Sequence, residues 1–518
     1  MKTGMSKIAA LLLAAGVCMP LYAADVKVAL DADPESLDIY EQLSGGILQY
    51  AHMSFDPLVR FTKDMKFEGR LAESWDQVDP KTVRFHLRKG VKFHSGNAFT
   101  ADDVIWTYNR IQKSDDYKGL FTVYEGMKKV DDYTVDLVAK VPYPLVLQNA
   151  TYLFVMDSKF YTGKTEDGKD KDEIVKAANT YAANHVSGTG PFKLVSREQG
   201  VKLELTRNAD YWDKKSLGNV EKLTVVPIKE DATRVAALLS GDVDMIAPVA
   251  PNDQKRVLSD SNLQMATETS NRIVMFELNQ NVVPAFKDQR VREAVNLAVN
   301  QKGIVDKIMK GFATPAGQMS PEGYLGHVPE LTPQYDLKKA KELMKAAGQE
   351  KGFEITMIAT NNRYINDAKI AEAVANMLSK INIKVSLKTM PKAQYWPEYD
   401  KCAAGMQLIG WQSDTQDSGN YYEYLVETRN DKTGKGQYNC GGYSNAEVDK
   451  LIAQSNAEVD VAKRTAMLQQ IEKLLMKDAA YLPLEWQNLS WAAKTKLDIK
   501  PIVNGLDFPY YGDLKVKE

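Results

Sequence analysis

Residues 71–104 carry the most informative pattern of apolar and polar positions in the chain. The two kinds of residue alternate through residues 83–88, which predicts a half-buried strand. Gly90 interrupts the alternation, and the run at residues 91–94 predicts that the strand resumes. Thr100, followed by acidic residues, predicts a helix start, because a hydroxyl caps free backbone N–H groups and acids favour that end. Residues 71–75 are expected to form a turn before the first strand, so the segment predicts a turn, a hairpin and a helix in that order.

The second half of the chain alternates between strand and helix patterns. Residues 355–358 and 383–387 predict strands, and residues 368–381 between them predict an amphipathic helix. Residues 286–311 predict two helices that meet at Asn300. Strands separated by helices are typical of an α/β protein. Further strands are predicted at residues 26–30, 134–139, 273–279 and 406–411.

The first 23 residues have the pattern of a signal peptide. Two lysines precede a run of twelve apolar residues, 8–19, which is too short to span a bilayer. Residues 21–23 fit a signal-peptidase site, so the mature chain is predicted to begin at Ala24 in the periplasm. The alternative is a lipoprotein anchored through Cys18, and Val17 disfavours it because that anchor needs a small residue before the cysteine.

Composition is that of an ordinary globular protein and narrows the function only by exclusion. The formal net charge is −2, with 44% hydrophobic and 26% charged residues. Such a chain has no basic field that would recruit nucleic acid or an anionic membrane. The length after residue 23 predicts about three domains.

Two cysteines, Cys402 and Cys440, remain after residue 23. In an exported protein they predict one disulfide, and the alternative is two unpaired buried thiols. A metal site is not indicated, because no His or Cys pair lies nearby at ligand spacing.

Motifs of catalysis and nucleotide binding are incomplete in this sequence. The glycine-rich residues 187–194 lack the Lys-Ser/Thr of a P-loop and the third glycine of a dinucleotide fingerprint, so they predict a turn leading into a strand. Neither HExxH nor GxSxG occurs among the five histidines and the serines. The sequence therefore favours a protein without enzymatic activity and without a cofactor over a secreted hydrolase.

Short segments in a fixed order resemble one family of binding proteins. They read DPESLD at 33–38, FDPLV at 55–59, LAESW at 71–75, FTADDV at 99–104 and GTGPF at 188–192. Together they resemble the solute-binding proteins of peptide and nickel ABC transporters (solute-binding family 5, dipeptide-binding-protein-like), and the resemblance extends over essentially the whole mature chain.

The resemblance implies an α/β, two-lobed periplasmic binding protein (type II, cluster C) with an extra small domain inserted in the first lobe. Its implied domains are lobe I at 24–60, 186–275 and 486–518, the inserted domain at 61–185, and lobe II at 276–485. The lobes would be joined by crossover segments near residues 270–285 and 478–490.

The resemblance also implies a role and a set of partners. A monomeric binding protein would capture short peptides, di- or tripeptides, between its lobes and deliver them to two permease subunits that work with two cytoplasmic ATPases. The alternative ligands are a nickel chelate, an opine or an oligosaccharide, because family members share a scaffold while their ligands differ.

Candidate ligand-binding residues follow from the same resemblance. Asp414, after the Gly-Trp pair at 410–411, would hold a peptide's ammonium, with Asp417 as the alternative partner. Arg363 would grip the carboxylate, which a guanidinium can hold with two parallel hydrogen bonds. Asp414 could instead be a solvated turn residue, and Arg363 could bridge loops to a structural acid. Aromatic and first-lobe candidates are Trp411, Trp396, Gln42 and Ser44.

Overall fold

The computed structural model describes residues 24–34, 36–176, 178–215, 218–361, 363–413, 415–430 and 435–517, with the backbone alone at 392 and 393. The predicted signal peptide, residues 1–23, lies outside the described residues.

Nineteen strands are described. They are β1 Ala24–Leu30, β2 Val59–Phe61, β3 Phe67–Gly69, β4 Ala72–Asp79, β5 Thr82–Leu87, β6 Tyr124–Asp131, β7 Thr134–Ala139, β8 Phe192–Glu198, β9 Lys202–Arg207, β10 Val220–Pro227, β11 Met245–Ala247, β12 Leu263–Leu278, β13 Ala313–Pro315, β14 Phe353–Thr360, β15 Ile383–Met390, β16 Met406–Gln412, β17 Tyr481–Lys494, β18 Leu497–Asp498 and β19 Lys515–Val516.

Fifteen α-helices are described, with 3₁₀ turns at Pro284–Lys287 and Tyr511–Asp513. The helices are α1 Gly45–Ser54, α2 Ala101–Ile111, α3 Lys118–Phe121, α4 Val146–Ala150, α5 Ser158–Tyr161, α6 Asp231–Ser240, α7 Gln254–Leu258, α8 Gln289–Ala298, α9 Gln301–Lys307, α10 Leu337–Ala346, α11 Asp367–Ser379, α12 Lys392–Tyr399, α13 Gly419–Leu425, α14 Ala446–Ser455 and α15 Val461–Lys477.

One mixed sheet runs through the molecule in the order β15-β14-β16-β12-β17-β11-β1-β10-β9-β8, with β13 beside β17. Strands β12 and β17 form its antiparallel centre, and their register is irregular between Thr269 and Ile273. Parallel pairs flank this centre on both sides, β1 with β10 and β11, and β14 with β15 and β16. A chain that reaches both halves through one pair of long strands forms two lobes with a narrow connection.

Apolar burial follows the same division. One cluster combines β1 and α1 with the separate antiparallel sheet β4-β5-β7-β6, through residues such as Val28, Phe85 and Leu223. Two further clusters fill the other lobe, around Phe276 and Tyr421 respectively. The antiparallel sheet therefore shares the core of the first lobe. The exact domain boundaries stay predictions.

Most local predictions are confirmed, because apolar spacing and caps act over a few residues. β5, β7, β14, β15 and α11 fall where the periodicity predicts them. Thr100 and Asp103 form a capping box at the start of α2, and Asn300 caps α9 through its side chain.

The predicted turn at residues 188–192 is also confirmed. β8 begins at Phe192, and Gly188 and Gly190 lie against the backbone of Ser54, where an added Cβ would clash.

Two local predictions are wrong. Residues 72–75, expected in a turn, belong to β4, where Trp75 pairs with Phe85. Residues 91–94 do not resume a strand, since only an isolated bridge joins Lys92 to Ala98. There the His94 N–H donates to the Gly188 carbonyl oxygen at 2.8 Å, so a contact distant in sequence replaces strand pairing.

Candidate functional site

A cavity of about 990 Å³ lies where the register of β12 and β17 is irregular. Ser270 and Arg272 of β12 and residues 487–490 of β17 form its floor. Its volume is at the upper end of the range typical of small-molecule sites.

Opposite walls of the cavity come from the two lobes. The first lobe contributes the start of α1, residues 248–252 after β11, and residues 505–508 near the C-terminus. The second lobe contributes residues 363–366 after β14 and residues 409–413 at the end of β16. Ligands of open α/β sheets bind at the carboxyl ends of strands, where such loops meet.

Arg363 lies on the wall of the cavity in a loop whose conformation is fixed. The buried carboxylate of Asp367 accepts hydrogen bonds from the N–H groups of Arg363 at 2.9 Å and Tyr364 at 3.1 Å, and from the Thr360 hydroxyl at 2.7 Å. The Tyr364 hydroxyl accepts from the Gly410 N–H at 2.8 Å, which ties the loop to β16.

The Arg363 side chain itself is exposed, and its guanidinium lies 5.3 Å from the ring centroid of Tyr364. No acidic side chain among the described residues forms a salt bridge with it. The loop is therefore ordered by its backbone and by Tyr364, which leaves a cation available to a ligand.

Trp411 and Trp396 also line the cavity, as predicted candidates. The indole Nε1 of Trp411 donates to Asn420 Oδ1 at 2.7 Å, and its ring stacks on Tyr424 with centroids 5.3 Å apart. Trp396 lies edge-on to Tyr395 at 5.4 Å. These contacts fix both indoles and give the second-lobe wall an apolar surface.

The two ligand-binding candidates of the first lobe differ in whether they line the cavity. Ser44 lines the cavity at the start of α1, and Gln42 is not among the lining residues that the structure describes. Asp414 lies outside the described residues.

Asp417 is placed away from the cavity, against α15. Its carboxylate forms a salt bridge with Arg464, with Nε to Oδ2 at 2.8 Å and Nη2 to Oδ1 at 2.7 Å, and it accepts the Gly419 N–H at 2.7 Å. The two side chains are 0% and 2% exposed. A carboxylate already paired and closed off from water holds the loop after β16 in place, so we do not retain Asp417 as a ligand contact.

Arg272 and Asp507 are two of the charged cavity residues that sequence reasoning missed. Arg272 on β12 donates to Gln412 Oε1 at 2.9 Å. Asp507 lies on the first-lobe wall, and burial, followed by the nearby carboxylate of Asp31, raises its pKa to about 7. No motif marks either residue, since one lies within a strand and the other in an irregular C-terminal segment.

Cys402 and Cys440 are joined by a disulfide, with 5.0 Å between their Cα atoms. It links the end of α12 to the loop before α14. Cys402 comes just after the helix that carries Trp396, so the disulfide helps to hold the aromatic wall.

Two α/β lobes that share a central strand pair, with a cavity between them at the carboxyl ends of strands, define the class of two-lobed solute-binding proteins. Residues 66–433 match the family described as bacterial extracellular solute-binding proteins, family 5 Middle. The chain belongs to this family.

Two relatives whose names state a ligand match most of the chain. The glutathione-binding protein of Pectobacterium atrosepticum is 28% identical over 502 residues, covering 95% of this chain and 94% of the relative. Di/tripeptide-binding protein 1 of Pseudomonas aeruginosa is 28% identical over 466 residues, covering 84% and 83%.

A solved structure agrees with these relatives. An ABC-transporter-associated periplasmic binding protein of Helicobacter pylori, in complex with the peptide STSA, superposes with a TM-score of 0.71 at 25% identity, over 96% of this chain and 98% of that one. Among the described residues, no helix has the length and apolarity needed to cross a bilayer.

Proposed function

We propose that this protein is the extracytoplasmic substrate-binding component of an ABC importer, and that it captures di- and tripeptides in the cavity between its lobes. The observation that carries the peptide assignment is Arg363, an exposed cation on an ordered loop of the cavity wall. The peptide-binding and glutathione-binding relatives support it.

A short peptide is a zwitterion, and its two ends need opposite charges. Arg363 would hold the carboxylate with two parallel hydrogen bonds. Asp414 would hold the ammonium, as the resemblance predicts. Arg363 follows the end of β14 at Thr360, and Asp414 follows the end of β16 at Gln412.

The topology supports this pairing of anchors. β14 and β16 are neighbouring parallel strands about 4.8 Å apart, so both direct their carboxyl ends to the same edge of the sheet. Two anchors that start from adjacent strand ends suit a ligand of a few residues better than a long polymer.

Ligand capture would work by closure of the lobes. A peptide that contacts both walls stabilises the closed arrangement over the open one, and its differential affinity sets the shift. The closed protein would then deliver its cargo to two membrane permease subunits that work with two cytoplasmic ATPases. The protein would act as a periplasmic monomer, released by cleavage after residue 23, and would return the peptide chemically unchanged.

The test uses the chain from Ala24, refolded free of ligand, with thermal unfolding and calorimetric titration. A peptide at 100 times its Kd should stabilise the folded protein by about 2.7 kcal/mol. Dipeptides and tripeptides with free ends should do so, whereas amidation of the C-terminus should remove most of the affinity.

Arg363→Met should abolish the difference between free and amidated peptides, because the group that reads the carboxylate is gone. Arg256→Met is the matched control, since Arg256 is an exposed arginine of α7 outside the cavity. If no peptide shifts the melting temperature of a well-folded protein, while a sugar, an opine or a nickel chelate does, the peptide assignment is wrong.

A further inference from the structure

Asp507 stands on the first-lobe wall of the cavity, across from Arg363. Its backbone is left-handed, with φ of 65°, a conformation that non-glycine residues rarely adopt. The buried Asn504 fixes it: Asn504 Oδ1 accepts the Leu506 N–H at 2.9 Å, and Asn504 Nδ2 donates to the Phe508 carbonyl oxygen at 3.0 Å. The acid is thus presented to the cavity by a loop whose backbone is held by Asn504.

The C-terminal segment that carries Asp507 packs against the first lobe. Ile502 and Val503 are in the apolar cluster of β1 and α1, and the Tyr510 hydroxyl donates to the Phe61 carbonyl oxygen at 2.7 Å. Asp507 therefore moves with the first lobe when the lobes close.

Four groups face this carboxylate. Asp31, after β1, opposes its charge, while Arg272 of β12 and the amide of Gln49 favour it, and Tyr511 lies close enough for its own pKa to be raised by Asp507. Burial is the largest influence and raises the Asp507 pKa to about 7. No cation among the described residues forms a salt bridge with it. A partly buried carboxylate without a paired cation is stabilised in its ionised form when a ligand places a positive charge beside it.

The other charged residues that line the cavity, among those that the structure describes, are Asp231, Arg272 and Arg363, and each is already engaged or assigned. Asp231 pairs with Arg234 at 2.5 Å, and Arg272 donates to Gln412. Arg363 and Asp414 are taken by the peptide termini in the proposed function, and both follow strands of the second lobe. Asp507, on the first-lobe wall, is the charged lining residue to which the proposed function assigns no part of the peptide.

We propose that Asp507 receives the cationic side chain of a peptide ligand, so that the site prefers peptides that contain lysine or arginine. This inference rests on the proposed function and adds a side-chain preference to it. Such a ligand would carry one positive charge beyond its zwitterionic ends, and its side chain would bridge the lobes.

The test compares Lys-Ala and Ala-Lys with Nle-Ala and Ala-Nle by calorimetric titration at pH 8. Norleucine keeps the length of lysine's carbon chain and removes its charge. In the wild type, at least one lysine peptide should bind about tenfold or more tightly than its norleucine partner, the value of one charged hydrogen bond. Asp507→Asn should reduce that ratio to below threefold.

A control and a pH series separate this reading from general charge effects. Asp25→Asn removes the same charge from an exposed site at the opposite end of β1 and should keep the wild-type ratio. At pH 5.5, below the Asp507 pKa of about 7, the lysine preference should shrink because the acid is protonated.

The outcomes distinguish the two proposals. Equal weakening of lysine and norleucine peptides by Asp507→Asn would show that the acid serves the peptide ammonium or the fold, and would overturn this inference alone. Equal affinity of the wild type for both kinds of peptide would also overturn it alone. Absence of binding by every peptide would overturn the proposed function and the inference with it.

Discussion

The salt bridge between Asp417 and Arg464 allows a decisive test of whether the loop after β16 uses Asp417 for stability or for ligand binding. Substitution of Asp417 by Asn keeps the shape of the side chain and removes its charge. Arg464, 2% exposed, would then remain as a buried cation without its partner. We expect such a variant to lose about 3–5 kcal/mol of stability, the usual result of breaking a buried pair.

The size of this effect follows from the bonds that are lost. Two charge-assisted hydrogen bonds, at 2.8 and 2.7 Å, join the Asp417 carboxylate to the Arg464 guanidinium. Asn can replace one acceptor oxygen but not both. The Arg464 Nη1 bond to the Ser455 carbonyl oxygen remains and offsets only part of the desolvated charge.

Urea denaturation followed by circular dichroism measures the loss. Asp306→Asn is the control, because its pair with Lys302 is on the surface, with side chains 54% and 75% exposed, and should contribute less than about 1 kcal/mol. The double variant Asp417→Leu with Arg464→Met should recover part of the loss, since it leaves no unpaired charge.

Ligand affinity decides between a structural and a binding role for Asp417. At temperatures where the Asp417→Asn variant is folded, its peptide Kd should stay within about threefold of the wild type, less than the contribution of one charged hydrogen bond. A loss below 1 kcal/mol together with a tenfold weaker Kd would refute the reasoning and make Asp417 a ligand residue.

Two other predictions concern stability. Replacement of Cys402 and Cys440 by Ser should lower the free energy of unfolding by about 4 kcal/mol, the chain-entropy value for a separation of 38 residues, and a urea midpoint unchanged from the wild type would contradict it. Burial raises the pKa of Glu277 from 4.5 to about 8, so the unfolded state releases this proton first and stability should fall as pH rises between these values. Glu277→Gln should flatten that fall in a pH series of urea melts, and an unaltered slope would show that the glutamate ionises normally.

The sequence predicted secondary structure well where local forces act alone. The alternation at residues 83–88 and 134–139 gives β5 and β7, because one face of each strand is buried. The capping residues Thr100 and Asn300 mark helix starts that depend on atoms within one turn. At residues 91–94 the same reasoning failed, because a contact with Gly188, far away in sequence, fixed the backbone.

For the candidate ligand-binding residues, the sequence predicted which loops and strand ends carry them better than it predicted which way each side chain points. Arg363, Trp411, Trp396 and Ser44 all line the cavity. Asp417 comes from the same loop, yet it faces Arg464, which is 47 residues further along the chain.

By itself, the sequence determined the α/β character, the order of the family's landmark segments, an arginine after one predicted strand and a tryptophan at the end of another. Only the tertiary structure decided which of the described acidic side chains lie at the cavity. Asp507 reaches it because a left-handed backbone held by Asn504 turns it there, and Asp417 is withdrawn because a distant arginine pairs with it. Apolar periodicity is a property of neighbouring residues, whereas the direction of one charged side chain depends on single dihedral angles and on partners that only folding brings near.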